Sequence, residues 1–236
     1  MKKLLVFLIL LIGYQSAQAQ LFSKERLRNR ENFDDQLFTY GYFLGLNYYD
    51  FKFDYNEHQK NDVLVKENMG FNVGLIGDMR LNNYMNLRLE PGVTFVKRGV
   101  AFPAISESVF EKSGNHRTVT STYIHLPLLV KFSTKRLNNF KPFIEAGVST
   151  SVNLSSNQNN SDDNYSREFR MKTNTYYWEI GFGVDLYLYY FKFTPSVRGV
   201  FAMSNELVPD NHPGSEYTGG IDRMQSRGIF INFKFQ

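Results

Sequence analysis

From Leu37 onward, apolar and polar residues alternate with a period of two over most of the chain, the spacing that sends successive side chains to opposite faces of a β-strand. In the first such run Phe38, Tyr40, Tyr42, Leu44, Leu46 and Tyr48 share one face, opposite Thr39, Gly41, Phe43, Gly45 and Asn47. Later runs cover Phe71 to Leu81, Met85 to Phe95, Tyr123 to Phe132, Phe143 to Ser149, Tyr177 to Leu188, Phe193 to Phe201 and Ile229 to Phe235. Together they predict eight antiparallel strands. An even count is what a single-chain bacterial barrel requires.

The links between runs alternate in length. Short ones lie around Asn82-Asn83, from Ser133 to Asn139, and at Tyr189-Tyr190. Longer ones run from Asn56 to Lys66, Pro103 to Arg117, Asn153 to Asn174 and Ser204 to Ser226. Short turns on one rim and long loops on the other are the layout of an outer-membrane barrel with both termini on the periplasmic side. The third long link, with its NLSSNQNNSDDNYS stretch, reads as too polar to bury and as mobile.

Alternation alone leaves open whether the apolar face points inward, as in a soluble barrel, or outward to lipid. The opposite face decides for lipid. It carries Asp78, Glu90, Glu145, Glu179 and Asp185 together with Arg80, Arg88, Lys131, Arg198 and Lys234, and many glycines. Opposite charges in equal number are easier to hold across a narrow lumen than over a soluble exterior, because there they pair. The prediction is an all-β, eight-stranded antiparallel transmembrane barrel over residues 37–236, with those ions forming a structural network. Phe43, Tyr123, Phe143 and Tyr177 fill the same interior, so the lumen is expected to be plugged rather than porin-like. Tyr176-Tyr177-Trp178 on the loop side and Tyr187, Tyr189 and Tyr190 on the turn side read as interfacial girdles.

Upstream, Lys2 and Lys3 precede the apolar run Leu4 to Ile12, and Ala17-Gln18-Ala19 follows. That is a secretory signal peptide over residues 1–19. Residues 20–36 mix both charge signs without periodicity and read as a periplasmic arm, flexible or docked and mostly solvated. Beyond Ile12 no apolar run is long enough for a transmembrane helix. An exported chain of this pattern is expected in the cell outer membrane.

Composition narrows the chemistry. The chain has 236 residues and no cysteine, which excludes disulfides, thiolate metal sites and a lipid-modified cysteine. A formal net charge of +4, dispersed along the chain, gives no nucleic-acid footprint. His58, His116 and His212 fall in loops, and His125 faces the lumen beside Lys131, where a hydrogen-bonded structural histidine is expected. No metalloprotease, nucleophile-elbow or phosphate-loop spacing occurs. Glu145 and Glu179, on successive strands, could be imagined as an acid/base pair, but buried ions are kept when paired, and the basic residues opposite supply the partners. Asp162-Asp163 reads as solvated loop. The residues therefore predict no catalytic, metal or cofactor site and no enzyme. A lipid-modifying enzyme would need a rim nucleophile with its base, and none stands out.

Three stretches carry a family resemblance: Phe33-Asp34-Asp35 leading into YGYFLGLNYYDFKF (Tyr40 to Phe53), GFNVGLIGDMRLNNYMNLRLEPGVTF (Gly70 to Phe95), and TYIHLPLLVKFSTKRLNNFKPFIEAGVS (Thr122 to Ser149). The chain resembles the PorT family of Bacteroidota, called SprT in gliding members, from about Asn32 to the C-terminus. The resemblance implies an accessory or assembly role in type IX protein secretion, and in gliding motility where present, with other secretion components as partners. The alternating Ile229, Ile231, Phe233 and Phe235 also resemble the final-strand pattern read by the barrel-assembly machinery, although Gln236 follows the last aromatic. The alternative expectation is a stand-alone structural or adhesive barrel. Outer-membrane lipid is the remaining partner.

Overall fold

The computed structural model describes residues 28–56, 63–102, 116–212 and 214–236. The predicted signal peptide, residues 20–27 of the arm, and His58 lie outside the described residues. Among the described residues ten strands form one antiparallel sheet: β1 (Phe38–Tyr55), β2 (Leu64–Glu67), β3 (Met69–Arg80), β4 (Met85–Leu89), β5 (Gly92–Ala101), β6 (His116–Ser133), β7 (Phe140–Asn153), β8 (Asn174–Tyr187), β9 (Lys192–Ala202) and β10 (Ile221–Phe235). β1 pairs with both β3 and β10, so the sheet closes on itself.

Eight rods make the ring, because two of them are each split in two. β4 and β5 are one strand interrupted at Glu90-Pro91, where proline lacks the N–H a ladder needs. β3 bridges both halves, pairing Gly77 with Leu89 and Gly74 with Gly92. β2 and β3 likewise run on from each other past Asn68 along β5.

The apolar face points outward. Tyr40, Leu44, Phe71, Leu75, Ile144, Ile180, Phe182 and Ile229 are all more than half exposed, while Phe43, Asn47, Tyr123, Glu145, Glu179 and Phe230 are buried. A soluble barrel would invert this assignment; an apolar outer band meets lipid tails. The periodicity also fixed which side each run presents, since a slip of one residue would flip every side chain.

Four expectations need correction. Three of the four long links end earlier than the polar composition suggested: β2 begins at Leu64, β6 at His116 and β10 at Ile221, because strands of an outer-membrane barrel continue past the apolar band into water, where their outward side chains turn polar. His116 thus starts a strand. The third long link is no mobile polar tether, for Asp163 and Asn164 are buried. Asn164 donates to Asp210 at 3.0 Å, and Asp163 accepts from the backbone N–H groups of Tyr165 and Asn211, so polar residues satisfy each other inside a folded cap. Finally, Tyr177 and Tyr187 belong to no girdle: each is 1% exposed and faces inward, in phase with Glu179 and Asp185.

Candidate functional site

The interior is filled in layers that follow strand register. Lowest, towards the short turns, lies a polar mouth. Above it sit the ions. Next comes an aromatic layer of Tyr49, Tyr123, Tyr177 and Phe230 with Val96 and Val200. Outermost, Phe51, Val100, Val119, Ile221 and Met224 from the strands pack with Phe102, Phe169, Met171 and Leu207 from the segments that follow strands or link them. On β1 the order is explicit, since Phe43, Tyr49 and Phe51 face Lys234, Gly228 and Ser226 on β10.

Seven of the ions form one connected network, and Lys131 and Asp185 form a further pair. Asp78 and Arg88 sit directly opposite on β3 and β4, with Arg88 Nε and Nη2 donating to Asp78 Oδ2 at 2.8 and 2.5 Å. Glu90 receives Lys234 Nζ at 2.6 Å and Arg198 Nη2 at 3.0 Å. Glu145 lies 3.2 Å from Lys234 and 3.5 Å from Arg88. Arg198 Nε reaches Glu179 at 3.1 Å. Lys131, although opposite Glu145 in register, instead meets Asp185 at 2.5 Å, and Thr194 donates to the other Asp185 oxygen. Charges this deep are tolerable only because each carboxylate has cationic partners in a medium that strengthens both attraction and penalty.

Nine of the ten residues singled out from sequence thus meet in the lumen. Arg80 does not. It closes β3 at the periplasmic rim, where its guanidinium binds Asn83 at 2.5 Å and Asp35 at 3.5 Å. Glu145 and Glu179 are no direct pair either: Glu179 is opposite Gly147 and Glu145 opposite Gly181, and Arg198 stands between the two carboxylates.

His125 is held on both ring nitrogens, by Ser151 Oγ at 2.5 Å and Glu179 Oε1 at 2.8 Å. A proton on Nε2 donated to Glu179 leaves Nδ1 to accept from the serine hydroxyl. The order serine, histidine, carboxylate imitates a hydrolase relay. All three residues are at most 4% exposed, however, which leaves an acyl substrate no approach. Among the described residues no group of three or more histidines and carboxylates is placed to hold a metal ion.

Sequence reasoning missed two sets of residues. Lys141 and Lys192 are buried in phase with Glu145 and Arg198, so the period-two signal was there but the strand ends were drawn too short. Arg98 on β5 was missed for the same reason. It donates to Tyr123 Oη and Ser226 Oγ, at 2.7 and 2.9 Å, and stacks on Phe51. Ser226 in turn donates to Glu206 Oε2 at 2.8 Å. Glu206 comes from the loop after β9 and has no periodic signal; burial raises its carboxyl above the usual 4.5.

Glycine lets the largest interior rings lie against the wall. A Cβ on Gly74 would sit 2.5 Å from Phe43, and one on Gly183 would sit 2.6 Å from Phe143. Phe143 in turn lies under Lys131, whose ammonium is 4.2 Å from the ring centre.

The arm finishes the plug. Residues 28–36 fold over the periplasmic mouth, with a 3₁₀ turn at Glu31–Asp35 that buries Phe33. Arg136 donates to the Asn29 and Arg30 carbonyls and stacks on the Tyr187 ring at 3.7 Å. Asn29 reaches Asn139 and Tyr187, and Arg30 reaches the Gln236 carbonyl. Of the two states read from composition, this part of the arm is docked.

A closed ring with an apolar exterior, an ion-filled interior and alternating short turns and long loops defines an outer-membrane β-barrel. The chain belongs to the outer membrane protein beta-barrel domain family, whose model matches residues 18–208. Among solved structures, OprG of Pseudomonas aeruginosa is 14% identical, covers 83% of this chain and 94% of its own, and superposes with a TM-score of 0.42. Neisserial surface protein A is 10% identical over 82% of this chain and 95% of its own, at 0.40. Ail, the attachment invasion locus protein of Yersinia pestis, is 10% identical over 83% and 96%, at 0.33. Identities this low transfer nothing about activity. No curated protein matches the chain.

Proposed function

We propose that this barrel is a non-enzymatic accessory or assembly component of type IX protein secretion, and of gliding motility where the host glides. The observation that carries the proposal is the filled interior: four stacked layers and a docked arm leave no conduit for a polypeptide, so the barrel works through its rims. The resemblance of Tyr40 to Phe53 and Gly70 to Phe95 to the PorT and SprT proteins supplies the secretion context. Partners in this reading are other secretion components, outer-membrane lipid, and the barrel-assembly machinery during insertion. The ion network has a structural role.

The test is a clean deletion in the native host. Cargo stranded in the periplasm, with secretion restored by the gene in trans, is the expected result. Undisturbed secretion would leave a stand-alone structural or adhesive barrel as the better reading.

A further inference from the structure

The periplasmic mouth meets the arm by residue chemistry at three consecutive positions. The Phe33 ring is edge-on to Tyr187, and the Lys192 ammonium lies 4.6 Å from its centre. The Asp34 carboxylate accepts the Tyr187 hydroxyl at 2.6 Å and faces Lys141 at 3.6 Å. Asp35 faces Arg80 at 3.5 Å. An aromatic face against a cation, a carboxylate against a phenol and an ammonium, and a second carboxylate against a guanidinium amount to a readout of Phe-Asp-Asp.

The mouth also holds more positive charge than the arm consumes. Between arm and wall lies a cavity of about 440 Å³, to which the wall contributes five basic residues and one acid, Asp78, and the arm one basic residue and three acids. Lys192 lines it at 4% exposure; Asp185, Asp78 and Asp34 act on its ammonium, and among the described residues none of the three forms an ion pair with it. A buried cation resting on a ring and facing a polar cavity has room for an anionic partner.

We propose that the mouth is a recognition site for a periplasmic polypeptide presenting an aromatic residue followed by two acids, and that residues 28–36 occupy it as an internal stand-in which such a partner displaces. This goes beyond the secretion reading and does not rest on it. The contacts suit exchange, since the Asp35 carboxylate is solvent-exposed, that of Asp34 is about a third exposed, and only Phe33 is buried. Tethering gives the arm a high effective concentration, so a partner in trans gains access once the arm's own contacts are weakened.

The experiment compares the full chain with its F33A/D34A variant in detergent micelles. The probe is a fluorescein-labelled peptide with the sequence of residues 28–36, alongside a control with alanine at the three Phe-Asp-Asp positions. The probe is expected to bind the variant at least tenfold more tightly than the unmodified chain. The control peptide should show no saturable binding, and adding Lys141→Ala and Tyr187→Phe to the variant should abolish binding. Equal affinity for both chains, or equal binding of the control, would overturn the proposal. If F33A/D34A fails to fold, judged by heat-modifiable gel mobility, D34N/D35N serves in the same comparison with the same two outcomes.

Discussion

The Tyr187 hydroxyl donates to Asp34 across 153 residues of chain, tying the arm to the inner wall of β8. Such a bond to a carboxylate contributes about 1.5–3 kcal/mol net. Tyr187→Phe is therefore expected to raise opening of residues 28–36 by about ten- to a hundredfold without unfolding the barrel. Hydrogen exchange checks this: the arm should lose protection while β7 and β8 keep theirs, and unchanged protection in the arm would contradict it.

Arg198 touches Glu90, Glu145 and Glu179 at once. Replacing it by Met leaves three buried carboxylates short of a cation, at a cost of about 3–5 kcal/mol. Urea unfolding in lipid vesicles should show that loss, and adding Glu179→Gln should recover part of it. A loss under about 1 kcal/mol would mean that the network is not what holds the lumen.

Glu206 gives a pH dependence of definite sign. Its folded carboxyl is raised by burial above the usual 4.5, so the folded state holds the proton more tightly than the unfolded one. Stability from this group is fully present below about 4.5 and is lost as pH rises through the raised folded value. The unmodified chain minus Glu206→Gln, compared by unfolding midpoint at successive pH values, should fall with rising pH. A difference that rises with pH contradicts the burial argument.

Phe182 is 62% exposed near the middle of the outward face of β8. Phe182→Arg is expected to cost about 2–4 kcal/mol in a bilayer. The same unfolding assay tests it; an unaffected variant would place this face in water.

How much of this was legible follows from where the signals lie. Phe43, Glu145 and Arg198 could be placed inside because each sits within a long alternating run, where one correct residue fixes the rest. Arg80 was misplaced because the same alternation says nothing about height along the barrel, and at the rim an inward phase leads to the mouth. Tyr187 was misread because an aromatic at a strand end suits a girdle and an inner wall equally well. Glu206, Asn164 and the arm contacts come from non-periodic segments, and only tertiary packing brings them to the interior. The pairing of Lys131 with Asp185 instead of Glu145 depends on side-chain reach, which register does not encode.

Planar-bilayer recording of the purified full chain tests most directly that the barrel is closed from mouth to cap. No stable open conductance is expected, and at most brief flickers when Tyr187→Phe frees the arm. A large, steady open channel in the unmodified chain would contradict it.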